Sequence, residues 1–461
     1  MRTLTRRDFL RVGLGASGVA VLAACTPQVV KETVVVEREK VVEKTVVVEK
    51  VATAPAEKKH KIGFAWWTGG EGANKVFEEA VSRFELSHPN YTVTHMPISA
   101  EFTTKMLTMY GAGNAPDCHG VGFGTVWSWA HKGVLLDLTP LVERDAADVK
   151  WDDMWPAVSN SCFYPPKKIC ALPRETMGLL LYGYNKKIFE AAGVETPDKA
   201  LDADTWTWQD WRAKAKAVTK LAGDKREIMG ADQWLGYWDL QMIMPSYGVM
   251  QLNDKLTHYQ LDDPKIVGYL KMLNEMTNTD RSLGKPDETK EFDWGAGGKQ
   301  GLMYGATWGL PNWKTIFADF DWDFVIPPKG DCCYANLVGN DYHAVNGSKG
   351  ADQEGGWELI KFLNSPTEDL WWALNMFGPP FRKGNLEAWT TKVAESLPKN
   401  GWKYVDKATQ GAVPWTPIPF ADELGTIVGN EIGQAVTGER PVDEVVQSIV
   451  TKADDMIAKF K

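Results

Sequence analysis

The chain has 461 residues, of which 44% are hydrophobic and 24% charged, with a formal net charge of −9. That balance suits a water-soluble protein with more than one domain and excludes a basic nucleic-acid binder. Its 21 Trp, beside 13 Tyr and 17 Phe, exceed what cores need; flat aromatic faces are what apolar ring surfaces stack on, although most individual Trp are expected to be buried.

The first residues read as an address. Thr5-Arg6-Arg7-Asp8-Phe9-Leu10 is a twin-arginine signal, followed by the apolar run Val12–Ala24 and by Leu22-Ala23-Ala24-Cys25. This resembles a lipoprotein signal on a twin-arginine leader, which implies cleavage before Cys25 and a lipid on its thiol. Gly13-Leu14-Gly15-Ala16-Ser17-Gly18 spells a dinucleotide fingerprint, but no strand precedes it and it lies in the segment to be removed. The apolar run is too short to span a membrane. Loss of residues 1–24, with four Arg and one Asp, leaves a formal charge of −12. Residues 25–60 then form a lipidated low-complexity stalk, in which Thr33-Val34-Val35-Val36-Glu37 recurs as Thr45-Val46-Val47-Val48-Glu49.

Lys61–Val93 reads as a βαβ unit. Ile62–Trp66 is a strand and Thr68–Gly72 a Gly-rich turn; Val76, Phe77, Ala80, Val81 and Phe84 then fall at helical spacing, and a second strand opens at Tyr91. Ligand sites in such units lie at strand C-termini. Trp67 and Thr68 therefore face a cleft, while Trp66 points to the opposite face and belongs to the core. Ser99–Tyr110 is a second helix, Cys118–Val121 a strand, and Trp127 begins another helix. By the same logic one or two of Phe123, Thr125 and Trp127 see ligand, with Trp127 equally suited to the core of its helix. Asp117 anchors a turn. Leu179–Tyr182 is a buried strand and Lys186–Ala192 a helix closed by Gly193. Thr205 or Thr207 caps the helix Trp208–Leu221, whose Trp211, Ala215 and Val218 share one face.

The blocks Gly113-Asn114-Ala115-Pro116-Asp117, Ala130–Leu138, Leu172-Pro173, Tyr184–Val194, Trp206–Trp211, Gly298–Trp308, Trp357–Leu363 and Gly378–Arg382 resemble, in their order, the extracellular solute-binding proteins of carbohydrate ABC importers, the class that contains maltose-binding protein. The resemblance spans residues 61–461. It implies an α/β, two-lobed periplasmic-binding-protein-like fold of type II, with discontinuous lobes joined by hinge strands and closing around a ligand. On this reading the first lobe holds residues 61–173 and 335–378, the second 174–334 and 379–461, with passages near Pro173–Met177, Val325–Asn336 and Gly378–Phe381.

The implied ligand is a sugar or oligosaccharide and the implied partner an ABC permease. The receptor would be a monomer, lipid-anchored on the outer face of the cytoplasmic membrane. Trp308 lies where the family presents an aromatic platform. Arg174 and Glu175, beside the first passage, suit either hydroxyl pairs or an interlobe salt bridge. Glu101 and Asp341 are candidate contacts whose alternative is a solvated charge, and Trp238, Asp239 and Arg382 are second-lobe candidates. Five cysteines remain after Cys25: Cys118, Cys162, Cys170, Cys332 and Cys333. Cys162 and Cys170 flank a short hairpin and are the preferred disulfide, leaving an odd number. No Cys-x-x-Cys or His-x-x-x-His pair supports a metal, and no cofactor motif is usable. The alternative function is a lipid-anchored carbohydrate-active enzyme, whose paired carboxylates occur by chance in any chain with 60 acidic residues.

Overall fold

Ile62, Phe64 and Trp66 alternate along the first strand into one fully buried face, while Trp67 at its end is 54% exposed. Trp66 stacks on Phe77 of the following helix at 5.0 Å and donates from Nε1 to Asn74 Oδ1 at 3.1 Å. The apolar stripe of that helix, Glu71–Ser87, thereby closes on the sheet. The computed structural model describes residues 60–460 apart from 69–70, 123, 165–166, 175–178, 286–287, 293–296, 311–312, 314–320, 335, 338–340, 377, 397–399, 411 and 414–417. Residues 55–461 form one compact unit.

Two five-stranded sheets organise it. In chain order their strands are β1 (His60–Trp67), β2 (Tyr91–Ile98), β3 (Cys118–Val121), β4 (Leu172–Pro173), β5 (Leu180–Asn185), β6 (Lys220–Ala222), β7 (Lys225–Ala231), β8 (Gln300–Ala306), β9 (Trp322–Val325) and β10 (Tyr342–Val345). The first sheet has the order β2-β1-β3-β10-β4 and the second β9-β5-β8-β7-β6. β1 runs parallel to β2 and β3, and β10 antiparallel to β3 and β4. In the second sheet β5 is antiparallel to β8 and β9, while β7 is parallel to β8. Each sheet is the centre of a lobe, so the chain is an α/β protein of two lobes.

Local rules account for the helices. Gly193 closes Lys186–Ala192 in the left-handed region at φ 66°. Thr207 is the cap of Trp208–Val218, its hydroxyl accepting from Asp210 N at 3.1 Å. That helix stops at Val218 instead of Leu221, because Lys220–Ala222 is drawn into β6 by pairing with β7. Trp206, Trp208 and Trp211 are all buried in the second lobe, as Trp127, Trp129 and Trp357 are in the first.

The chain passes between the sheets from β4 to β5 and again from β9 to β10. The next passage lies further along than the segment 378–381. Phe381 N donates to Asp369 Oδ1 at 3.0 Å and Trp389 Nε1 to Ala373 O at 3.1 Å, which holds this stretch on the helix Pro366–Met376 beside the first sheet. Only at Asn400 and Gly401, whose N–H groups both donate to Asp323 at 3.1 Å, does the chain reach β9. The helices Ala421–Thr437 and Val442–Lys459 then pack on Pro264–Asn278 of the second lobe, with Asn274 Nδ2 donating to Ala435 O at 2.7 Å.

The expected disulfide is replaced by two free, buried thiols. Cys162 Sγ donates to Val158 O at 3.5 Å and Cys170 Sγ to Cys162 O at 3.2 Å. Each thiol is satisfied by a carbonyl, and burial pushes Cys170 up to about 12 and Cys162 well above the ordinary thiol value. Asp117 is a turn anchor: its carboxylate accepts from Gly63 N and Asp352 N, both at 2.7 Å.

Candidate functional site

On the first lobe, the ends of β1 and β3 present the candidate residues. Trp67 is half-exposed, its Nε1 reaching Ser99 O at 3.4 Å, while Thr68 is buried and donates its N–H to Ile98 O at 3.0 Å. Glu101 is exposed and non-glycine at φ 53°, at the start of Phe102–Ala112 without a side-chain cap bond. Backbone held in that region costs of order 1–3 kcal/mol and clusters at ligand sites. After β3, Gly122 lies close to both the Asp341 carboxylate and the Thr125 hydroxyl.

Arg174 and Asp341 join the first two passages. Arg174 N donates to Asp341 O at 2.7 Å, and its Nη2 to Asp341 Oδ2 at 2.8 Å. The guanidinium also lies 5.2 Å over the Phe77 ring, so it is held by the first lobe on several sides. A buried, charge-assisted pair of this kind fixes the spacing of the two passages.

On the second lobe the matching positions follow β7 and β8. Asp232 Oδ1 accepts from Tyr304 N at 2.6 Å, and Asp239 Oδ1 accepts from the Tyr304 hydroxyl at 2.7 Å. Burial pushes the Asp239 carboxyl up to about 6, against the opposing hydrogen bond from Tyr304. Tyr182 donates to Gln233 Oε1. Trp234 leans on Tyr304 with ring centroids 5.6 Å apart and is 55% exposed. Among the described residues, Trp67 and Trp234 are the exposed tryptophans; Trp67 is the last residue of β1 and Trp234 lies just after β7.

Contacts between the lobes bring these two sets together. The Trp238 indole rests on Gly124, so close that a Cβ there would lie 1.7 Å from Cη2. Thr125 Oγ1 donates to Asp422 Oδ1 at 2.9 Å, and at the surface Lys132 Nζ lies 3.9 Å from Glu423. Burial raises the Asp422 carboxyl above the ordinary value, and Thr125 and Ser128 oppose that by hydrogen bonding.

The sequence candidates thus divide. Trp67, Thr68, Thr125, Arg174, Asp341, Trp238 and Asp239 gather at the strand ends and between the lobes. Trp127 is fully buried in the first-lobe core. Arg382 is also fully buried, on the first lobe instead of the second, and donates to Asn364 O at 2.6 Å, Val149 O at 2.8 Å and Lys150 O at 3.2 Å. Its donors are thereby directed to backbone carbonyls, to Asn364 Oδ1 at 3.3 Å and toward Asp153 at 3.7 Å, which gives it a scaffold role. Phe123 and Glu175 lie outside the described residues, as does the Trp308 side chain, whose backbone is in the turn Thr307–Gly309. Sequence reasoning missed Gly124, Trp234, Tyr304 and Asp422. The rule that pointed to Trp67 also covers Trp234, which follows the end of β7; nothing local marks the other three.

Among the described residues no cluster of His, Cys, Asp or Glu is placed to hold a metal ion, and no helix is long and apolar enough to cross a membrane.

Two sheet-centred lobes in contact through residues at their strand ends define a two-lobed binding protein. The chain belongs to the bacterial extracellular solute-binding protein family, whose model matches residues 65–369. Solved structures share the fold at low identity. An ABC substrate-binding protein from Listeria monocytogenes, in complex with cycloalternan, is 20% identical with a TM-score of 0.75, covering 87% of this chain and 99% of its own. The GacH receptor of Streptomyces glaucescens, solved unliganded and with acarbose, is 18% identical with a TM-score of 0.72, covering 88% and 100%. A solute-binding protein from Agrobacterium radiobacter in complex with ribitol is 18% identical with a TM-score of 0.69, covering 87% of this chain and 100% of its own. No curated protein matches this sequence.

Proposed function

We propose that this protein is the lipid-anchored receptor of an ABC importer and captures a sugar or oligosaccharide between its lobes. The observation that carries the reading is the pair of half-exposed tryptophans, Trp67 and Trp234, each at a strand end beside buried polar groups. An exposed indole face gains by covering the C–H face of a pyranose, while Asp239, Glu101 and the amide of Gln233 offer partners to hydroxyls. Trp308, in the turn after β8, is a third stacking face on this reading. A hydroxyl placed wrongly would leave one of these polar groups unpaired, which costs ~1–3 kcal/mol and rejects epimers.

Closure follows from differential contact. The Thr125–Asp422 bond and the Trp238–Gly124 contact exist only when the lobes meet, and a ligand drives that state by touching both sides better there. The solutes bound by the solved relatives, cycloalternan, acarbose and ribitol, are polyhydroxylated. Cys25 supplies the anchor, the segment 25–60 the spacer, and permease subunits the partner that receives the solute.

The test is thermal unfolding of the purified protein against mono- and oligosaccharides and polyols, followed by analysis of the recovered solute. A ligand at a hundred times its dissociation constant adds ~2.7 kcal/mol to native stability and raises the midpoint. One solute that does so and is recovered intact supports a receptor; its cleavage would make the protein an enzyme. No shift across the panel would transfer the site to another solute class.

A further inference from the structure

The sequence leaves one motif that the cleft does not use, the adjacent pair Cys332-Cys333. Cys332 is exposed and Cys333 half-buried, whereas Cys118, Cys162 and Cys170 are buried; all five are free thiols. The pair lies in the passage from β9 to β10, and its position is fixed. The N–H groups of Cys332 and Cys333 both donate to Ser246 O, at 2.9 and 3.3 Å, and the Cys333 thiol reaches Pro245 O at 3.7 Å.

The preceding residues are tied down as firmly. Gly330 lies so close to the chain at Ser246 that a Cβ there would be 2.5 Å from its carbonyl oxygen. Lys329 N donates to Trp206 O at 3.0 Å, and its Nζ to Asp204 Oδ2 at 2.7 Å. Two thiols on adjacent residues, on a loop held at Lys329, Gly330 and the pair itself, need no loop closure to meet.

We propose that Cys332 and Cys333 form a redox-sensitive dithiol that closes to a vicinal disulfide on meeting a small-molecule or protein disulfide. The family is extracellular, where such oxidants persist. The exposed Cys332 thiolate attacks one sulfur of the oxidant RSSR, forming a mixed disulfide and releasing RS⁻. The Cys333 thiolate then attacks the Cys332 sulfur and displaces the second RS⁻. The protein gives up two electrons and two protons, and RSSR becomes two RSH. Burial and its neighbour push the Cys333 thiol up to about 11, which keeps it protonated at neutral pH and leaves the first attack to the exposed Cys332. Neighbouring Cα atoms are about 3.8 Å apart, shorter than the usual disulfide span, so the bond is strained and belongs to the labile, reversible kind.

The test is to incubate the purified, folded protein with oxidised glutathione and map its peptides without reduction. The expected result is a peptide holding residues 332–333 that has lost two hydrogens, carries no glutathione and is restored by mild thiol. The Cys333→Ser variant is expected to stop at a glutathione adduct on Cys332. A stable glutathione adduct on the parent protein, a disulfide-linked dimer through these residues, or two unmodified thiols would each overturn the proposal.

Discussion

The six-membered ring of Trp238, on the second lobe, occupies the space above Gly124, on the first, where any side chain would stand: a Cβ at residue 124 would meet Cη2 at 1.7 Å. Contacts below 3 Å are not tolerated, so Gly124→Ala must push the indole away and wedge the lobes apart. The backbone there is ordinary right-handed helix at φ −69°, so alanine strains nothing else. We therefore expect Gly124→Ala to fold with near-parental stability and to bind its solute at least tenfold more weakly, ~1.4 kcal/mol. Titration calorimetry with the solute found by thermal unfolding checks this. Parental affinity would show that the indole yields freely.

Thr125 and Asp422 give a second handle on closure. Thr125→Val keeps the shape but removes the donor, leaving a carboxylate whose charged form burial already disfavours. The loss of a hydrogen bond to a buried polar group costs ~1–3 kcal/mol, here charged to the closed state. Affinity should fall about tenfold at pH 7 and recover in Thr125→Ser. The deficit should shrink as the pH is lowered, because a carboxyl held above its ordinary value takes up its own proton earlier than a free one. A deficit that ignores both pH and the serine variant would place the effect elsewhere.

How far the sequence reaches can be judged from neighbouring residues. Trp66 and Trp67 were separable because strand geometry sends successive side chains to opposite faces, and one is fully buried while the other is half-exposed. Gly193 and Thr207 announced helix ends through local backbone chemistry. The Thr125–Asp422 bond joins residues 297 positions apart, and neither carries a local mark of the other. Arg382 was misread for the same reason. A charged residue beside a Gly-Pro segment looks like a site residue until its carbonyl partners at Val149, Lys150 and Asn364 are known. The shift of the third passage follows from that network, since it keeps the chain on the first lobe up to the helix Leu386–Ser396.

Replacing Arg382 separates scaffold from site. Its guanidinium serves carbonyls of three residues and lies near Asp153, so Arg382→Met leaves several buried acceptors unsatisfied. Removing one partner from a buried charged network costs ~3–5 kcal/mol. Denaturant unfolding should show a loss of that order, and Arg382→Lys should not restore it, because an ammonium lacks the planar fork. The folded fraction should keep solute affinity within about threefold. A stable variant that has lost binding would return Arg382 to the ligand.

The Asp239 carboxyl makes stability depend on pH in a direction that can be worked out. Its folded value, about 6, lies above the ordinary 3.8, so between these values the native state holds a proton that the unfolded chain has released. Native stability therefore gains from this group as pH falls through that window, and the cost of burying the charge is in full force above it. Asp239→Asn cannot ionise, yet its side-chain oxygen still accepts from the Tyr304 hydroxyl. At pH 7 the variant should be more stable than the parent by about 1–3 kcal/mol, and by pH 4 that advantage should vanish. Unfolding free energies of both proteins at the two pH values decide the matter. A constant difference would mean that the carboxyl titrates as it does in the unfolded chain, and that Tyr304 alone does not hold it in a place poor enough in water to keep its proton.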